Sequence, residues 1–187
     1  MDSMAPTTGR PPKTVDDYLA LPDDVRAELI GGELYVTPSP TPHHQSVVQG
    51  LFLTLAPVVE AGGLGQVYLA PLDVHLPTGD VVQPDVLFIR ARNLEIIQDW
   101  IRGVPDLVVE VISMTHAERD RIVKRGVYES ARVPEYWLVD PQACSFEVFR
   151  LEGACYRPAG YFEGTGLVRS LLLPGVVVDV ERLFDRG

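Results

Sequence analysis

No stretch of the chain approaches the roughly 18 consecutive apolar residues of a membrane span. The opening residues, MDSMAPTTGRPPK, also lack the apolar segment of a signal peptide. Membrane association and secretion are therefore not expected, and the implied location is cytoplasmic. Cysteine is scarce: Cys144 and Cys155 are the only two, too few for a disulfide framework, and both are expected as free thiols. No internal repeat and no low-complexity segment interrupts the body of the chain. Positive charge is in short supply as well. Sixteen Lys and Arg face 26 Asp and Glu, for a net charge of −10. That balance argues against a nonspecific polyanion binder, because such affinity rests on basic side chains neutralising phosphates.

What the chain does have is length and apolar content for a proper core. Its 187 residues, 46% hydrophobic and 22% charged, fit one soluble domain. Residues 1–13 are Pro- and Thr-rich without periodicity, so a flexible tail is expected there, with 14–187 forming the domain. Thr14 is placed to cap a short helix with Asp16 and Asp17 in its first turn, and Gly31-Gly32 marks a turn before a strand over 33–36. Thr41-Pro42 opens a helix that Val47, Val48, Leu51, Phe52, Leu55, Val58 and Val59 carry at helical spacing. Pro57 is expected to bend or shorten it, and Gly62-Gly63 to close it. Strand-like runs follow from Gly65, over 81–89, 105–113, 135–140, 146–149, 156–162 and 176–180, and residues 90–104 read as amphipathic. Interleaved helices and strands predict an α/β (α+β) fold with a mixed sheet.

Two of these runs carry an acid among apolar neighbours. In Pro105-Asp106-Leu107-Val108-Val109-Glu110-Val111-Ile112-Ser113, alternation puts Leu107, Val109 and Val111 on one face and Val108, Glu110 and Ile112 on the other. Both faces are apolar, so both are expected to be covered. A bare carboxylate at Glu110 is then costly, and it must be protonated, paired or bound to a cation. A structural pairing with an arginine at the sheet edge is one solution. Asp85, in Val81-Val82-Gln83-Pro84-Asp85-Val86-Leu87-Phe88-Ile89, poses the same question on the parity of Leu87 and Ile89. Two carboxylates sharing a hard divalent cation such as Mg²⁺ answer it economically, because oxygen ligands suit that ion and its charge cancels their repulsion. Winding 118–131 as a helix places Val123, Val127, Tyr128 and Ala131 on an apolar arc that also contains Asp120 and Lys124. Asp120 and Lys124 could form an ordinary i,i+4 surface pair. Facing inward from the helix that follows the Glu110 strand, Lys124 is instead placed like a catalytic cation.

Pro84-Asp85, then Glu110 in an apolar strand, then a downstream lysine, resembles the PD-(D/E)XK nuclease motif. Over nearly the whole chain the sequence resembles the Uma family of restriction-endonuclease-like proteins. The likeness runs from Thr14-Val15-Asp16-Asp17-Tyr18-Leu19 and Gly32-Glu33-Leu34, through His44, Gln83-Pro84-Asp85-Val86 and the Glu110 strand, to Asp120, Lys124, Tyr128 and Val133-Pro134-Glu135-Tyr136-Trp137-Leu138-Val139-Asp140-Pro141. The resemblance implies a restriction-endonuclease-like core, a mixed central sheet flanked by helices. It further implies metal-dependent hydrolysis of phosphodiester bonds in nucleic acid, DNA before RNA, with Mg²⁺ or Mn²⁺ as cofactor. Asp85, Glu110 and Lys124 are the implied catalytic residues, Asp85, Glu110 and Glu33 the metal ligands, and His44 and Asp120 candidate substrate contacts. The motif's lysine two residues after the acid is replaced by Ile112, so Lys124 takes over its role. The turn Ser113-Met114-Thr115-His116 departs from the family pattern. A homodimer is also expected, from the apolar C-terminal third with Tyr136 and Trp137 and from the pairing common among restriction enzymes. The competing reading is a non-catalytic nuclease-fold module that binds nucleic acid or a protein, which the acidic balance favours and the inward Lys124 does not.

Overall fold

The computed structural model describes residues 11–22, 24–113 and 119–185, with the side chains of Arg119 and Asp120 excepted. The turn after Ser113 falls on residues 114–118, outside that description. In chain order the elements are α1 (Val15–Leu19), β1 (Ala27–Ile30), β2 (Glu33–Val36), α2 (Pro42–Gly62), β3 (Gly65–Leu69), β4 (Val74–His75), β5 (Val81–Val82) and β6 (Val86–Arg90). A 3₁₀ turn (Ala91–Ile96) leads to β7 (Ile101–Arg102) and β8 (Leu107–Val111). A π-helical turn (Arg119–Lys124) runs into α3 (Arg125–Ser130), followed by β9 (Glu135–Asp140), β10 (Ser145–Glu152), β11 (Cys155–Glu163), β12 (Leu167–Arg169), β13 (Val177–Asp179) and α4 (Val180–Phe184).

The central sheet has six strands in the order β11-β10-β9-β8-β6-β3. It is mixed: β8 and β9 run parallel, and its other pairs are antiparallel. The parallel pair requires a crossover, and the π turn with α3 supplies it. Strand β8 is interior, with β6 on one side and β9 on the other, and every one of its residues is buried. The alternation read from the sequence holds. Leu107, Val109 and Val111 pack with Val47, Val48, Leu51, Leu55 and Val59 of α2, whereas Val108 and Ile112 pack with Val127, Tyr128 and Ala131 at α3. A smaller sheet, β2-β1-β5-β4-β7, covers the rest of that second face through Ile30, Val74, Val82 and Ile101.

Local chemistry explains the frame. Thr14 and Asp17 form a reciprocal capping box on α1. Thr41 caps α2 by accepting from the His44 N–H, Pro42 occupies the first turn where no N–H is needed, and Gly63 closes the helix in the left-handed region. Pro57 does not shorten α2, which continues to Gly62. The run expected over 81–89 divides at Gln83-Pro84-Asp85 into β5 and β6, which belong to different sheets. Proline cannot donate to a ladder, and the break lets the chain pass from one sheet to the other with Asp85 at the crossing.

Three further expectations are revised. Residues 11–13, assigned to the tail, are held in place by the Lys13 N–H, which donates to the Gly32 carbonyl at 2.7 Å. Val123 is 38% exposed rather than inward, because the π turn has more residues per turn than the α spacing used for the wheel. Tyr136 and Trp137 are fully buried in the chain's own core, so they offer no surface to a second copy. Both cysteines are free, as expected. Among the described residues no helix is long and apolar enough to cross a membrane.

Candidate active site

Glu110 sits second from the end of β8, opposite Leu138 of β9, and is 2% exposed. Burial of a carboxylate among valines and isoleucines demands partners, and the helix after the strand provides them. Lys124 Nζ lies 2.9 Å from Glu110 Oε2, and the Tyr128 hydroxyl donates to Oε1 at 2.5 Å. Their spacing of four residues brings both onto the inward side of the π turn and α3. Burial first, and the charge of Glu110 second, push the Tyr128 phenol well above its ordinary value. Tyr128 is therefore a fixed neutral donor. Lys124, itself only 5% exposed, reaches a second carboxylate, with Nζ 3.0 Å from Glu28 Oε1. Glu28 is 1% exposed, and the same Oε1 accepts the Gln83 N–H at 2.9 Å.

Asp85 stands at the crossing between the sheets. Its Oδ2 accepts the Val111 N–H at 2.8 Å, while Oδ1 takes no hydrogen bond among the described residues. His44, in the first turn of α2, places Nε2 3.0 Å from the Val111 carbonyl and 3.4 Å from Asp85 Oδ2. A ring nitrogen beside a carbonyl oxygen can only donate to it, so Nε2 carries a proton here. The N–H and C=O of Val111, the residue after Glu110, are thus read by Asp85 and His44. The last residue of β8 ties the two acidic strands together.

Glu28, His44, Asp85, Glu110 and Lys124 line one cleft of about 440 Å³. Of the residues singled out in the sequence, the structure brings together Asp85, Glu110, Lys124 and His44. The Asp120 side chain lies outside the described residues. Glu33 is corrected: it is exposed at the tip of the β1–β2 hairpin, opposite Ile30, accepts from the Tyr35 hydroxyl at 2.7 Å, and does not line the cleft. The acid that this hairpin does deliver is Glu28, on the same sheet face but two positions further from the tip, about 6.6 Å along the strand. Its signal was the one that betrayed the other two, an acid inside a short apolar run, Ala27-Glu28-Leu29-Ile30. Ile112, at the motif's lysine position, is buried in the core, and the ammonium comes from Lys124 instead.

A mixed sheet covered on both faces, with Glu28, Asp85 and Glu110 lining one cleft beside a buried lysine, is the arrangement of a restriction-endonuclease-like nuclease fold. The chain belongs to the Uma2 family, described as "Putative restriction endonuclease", whose profile matches residues 15–181. Among solved structures it is similar to a protein from Anabaena variabilis described as a "putative nuclease belonging to DUF820", at 19% identity and a TM-score of 0.79. That match covers 93% of this chain and 98% of the other. No curated protein matches the chain.

Nucleases of this type generally use divalent cations. Among the described residues no three His, Cys, Asp or Glu side chains stand ready around a single point. Lys124 lies between Glu28 and Glu110, so the ammonium meets their charge in this state. The donor chemistry nonetheless suits a hard cation: Glu28 and Glu110 flank the ammonium, Asp85 lines the same cleft, and its Oδ1 takes no hydrogen bond among the described residues.

Proposed function

We propose that this protein is a nuclease that hydrolyses phosphodiester bonds of nucleic acid, DNA before RNA, with Mg²⁺ or Mn²⁺. One observation carries the proposal: a carboxylate buried on an interior strand, Glu110, is held by an equally buried lysine in the cleft that Asp85 and Glu28 also enter. A structural ion pair has no need of two further acids at its side. Asp85, Glu110 and Glu28 would hold the cation, which when bound acidifies water and polarises a phosphoryl oxygen. Lys124 directs its ammonium at the attacking water or at charge developing on the phosphoryl oxygens. Tyr128, a permanent donor, keeps Glu110 oriented. His44 Nε2–H donates toward Val111 and Asp85 from the cleft wall and would serve as a proton donor to a scissile phosphate oxygen or leaving group.

The net charge of −10 and the pairing of Glu28 and Glu110 with Lys124 favour a second reading, a nuclease-fold module that binds without cutting. Incubating the protein with supercoiled plasmid, linear duplex and RNA separates the two readings. Nicking or cutting that needs Mg²⁺ or Mn²⁺ and stops with EDTA is the expected result; binding without turnover in any divalent cation supports the module. Two copies acting together would account for cutting both strands of a duplex in a cytoplasmic enzyme, and light scattering in the presence of duplex reports that assembly.

A further inference from the structure

The cleft contains a second, outer group of polar atoms that the hydrolytic reading does not use. The Thr37 N–H donates to the Arg26 carbonyl at 2.9 Å, which extends the β1–β2 ladder by one pair beyond Ala27 and Val36. Alternation puts Arg26 and Thr37 on the same face as Glu28, with Arg26 about 6.6 Å further along the strand. Both residues line the cleft. Arg26 Nε and Thr37 Oγ1 are buried, and neither has a hydrogen-bond partner among the described residues. Arg26 makes no ion pair there either, in a chain where acids outnumber bases by 26 to 16. Arg121, by contrast, is bound to Asp140 and Glu147.

A buried polar group without a partner is destabilising, and two of them in one cleft point to a ligand that completes them. The chemistry of that ligand follows from its surroundings. A guanidinium and a hydroxyl supply donors, and guanidinium geometry matches two oxygens of a phosphate. Thr41 and His43, at the N-terminal end of the 21-residue helix α2, line the same cleft and bring the positive end of its dipole. The inner acids repel an anion from the centre, so an anion is held at this outer station.

We infer that Arg26 and Thr37 bind a backbone phosphate next to the one presented to Glu28, Asp85 and Glu110. The spacing along β1 corresponds to about one nucleotide step. This inference rests on the nuclease reading and deepens it, for it supplies the local positive charge that an acidic chain needs to hold a polyanion.

The test is fluorescence anisotropy of a labelled DNA duplex titrated with protein at several salt concentrations, with Ca²⁺ replacing Mg²⁺, alongside thermal melts of the free proteins. Arg26→Ala is expected to weaken binding about tenfold and to lower the slope of log affinity against log salt by about one. Arg26→Lys keeps the slope and recovers only part of the affinity, and Thr37→Val weakens binding a few-fold. The melts of the free variants stay at or above that of the wild type, because a partnerless buried donor has been removed; a purely structural Arg26 would lower them. Wild-type binding that Arg26→Ala leaves unchanged in affinity and slope overturns this inference alone. A wild-type protein that binds no duplex at low salt overturns the nuclease reading and the inference with it.

Discussion

Lys124→Met replaces the ammonium at the centre of the cleft with an apolar chain of similar length. In the wild type, Nζ stands 3.0 Å from Glu28 and 2.9 Å from Glu110, both essentially excluded from water. The variant leaves two buried carboxylates with no cation between them. Removing one partner of a buried ion pair costs about 3–5 kcal/mol, a large share of the roughly 5–15 kcal/mol by which a domain is stable. For a chain of this size the melting temperature should fall by about 6–20 °C. Two signatures separate this cause from lost packing. The carboxylates can relieve their repulsion by sharing a proton, so the deficit should be smaller at about pH 5 than at about pH 8. A divalent cation can replace the ammonium, so Mg²⁺ should stabilise Lys124→Met more than the wild type. Urea denaturation across pH, with and without Mg²⁺, measures both. A variant as stable as the wild type, or a deficit indifferent to pH and Mg²⁺, would refute the reasoning.

Other perturbations probe the supports of the site. Tyr128→Phe removes the donor to Glu110 Oε1 and should cost about 1–3 kcal/mol, read by chemical denaturation; in the wild type, absorbance titration to about pH 11 should leave Tyr128 neutral. Glu135 is buried at the start of β9, where it accepts from the Trp137 indole at 2.7 Å and from the Leu171 and Leu172 N–H groups at 3.0 and 2.9 Å. Burial raises its pKa, with those hydrogen bonds opposing. A raised folded-state value gives stability that is present below the unfolded carboxylate value and lost as pH rises through the folded one. Glu135→Gln should remove that component of the pH–stability curve in acid, and identical wild-type and variant slopes there would count against it. Gly65 has φ of 146°, and a Cβ there would lie 2.0 Å from the Ile89 carbonyl oxygen. Gly65→Ala should therefore cost at least the roughly 1–3 kcal/mol of a strained backbone position, seen as a lower melting temperature.

Much of the site was legible because burying a charge is expensive and leaves a mark in the sequence. Asp85 and Glu110 are conspicuous as acids within apolar runs, and Lys124 as a cation on an apolar helix arc. Glu28 carries the same mark but in a run of only four residues, next to Glu33, which opens the partner strand and matches the family pattern. The choice between the two acids depends on which hairpin position reaches the cleft, and that is set by the pairing of β1 with β5 from a distant part of the chain. The small sheet itself could not be read, since β4, β5 and β7 have two residues each, too few for any period to show. Val123 was misplaced because a π turn follows a different angular step from the α-helix. The large sheet was readable for the opposite reason: β8 and β9 are buried on both faces and consist of long apolar runs bounded by turn residues.

The most direct test of the central claim is the divalent-cation-dependent cleavage rate of four single variants beside the wild type. Asp85→Asn, Glu110→Gln and Glu28→Gln should each lose about a hundredfold or more, the scale of removing one electrostatic element of an active site. Glu33→Gln, at the exposed hairpin tip, should cleave at the wild-type rate. If all four variants retain that rate, or if Glu33→Gln is inactive while Glu28→Gln is not, the site described around Glu110 and Lys124 is not where the chemistry occurs.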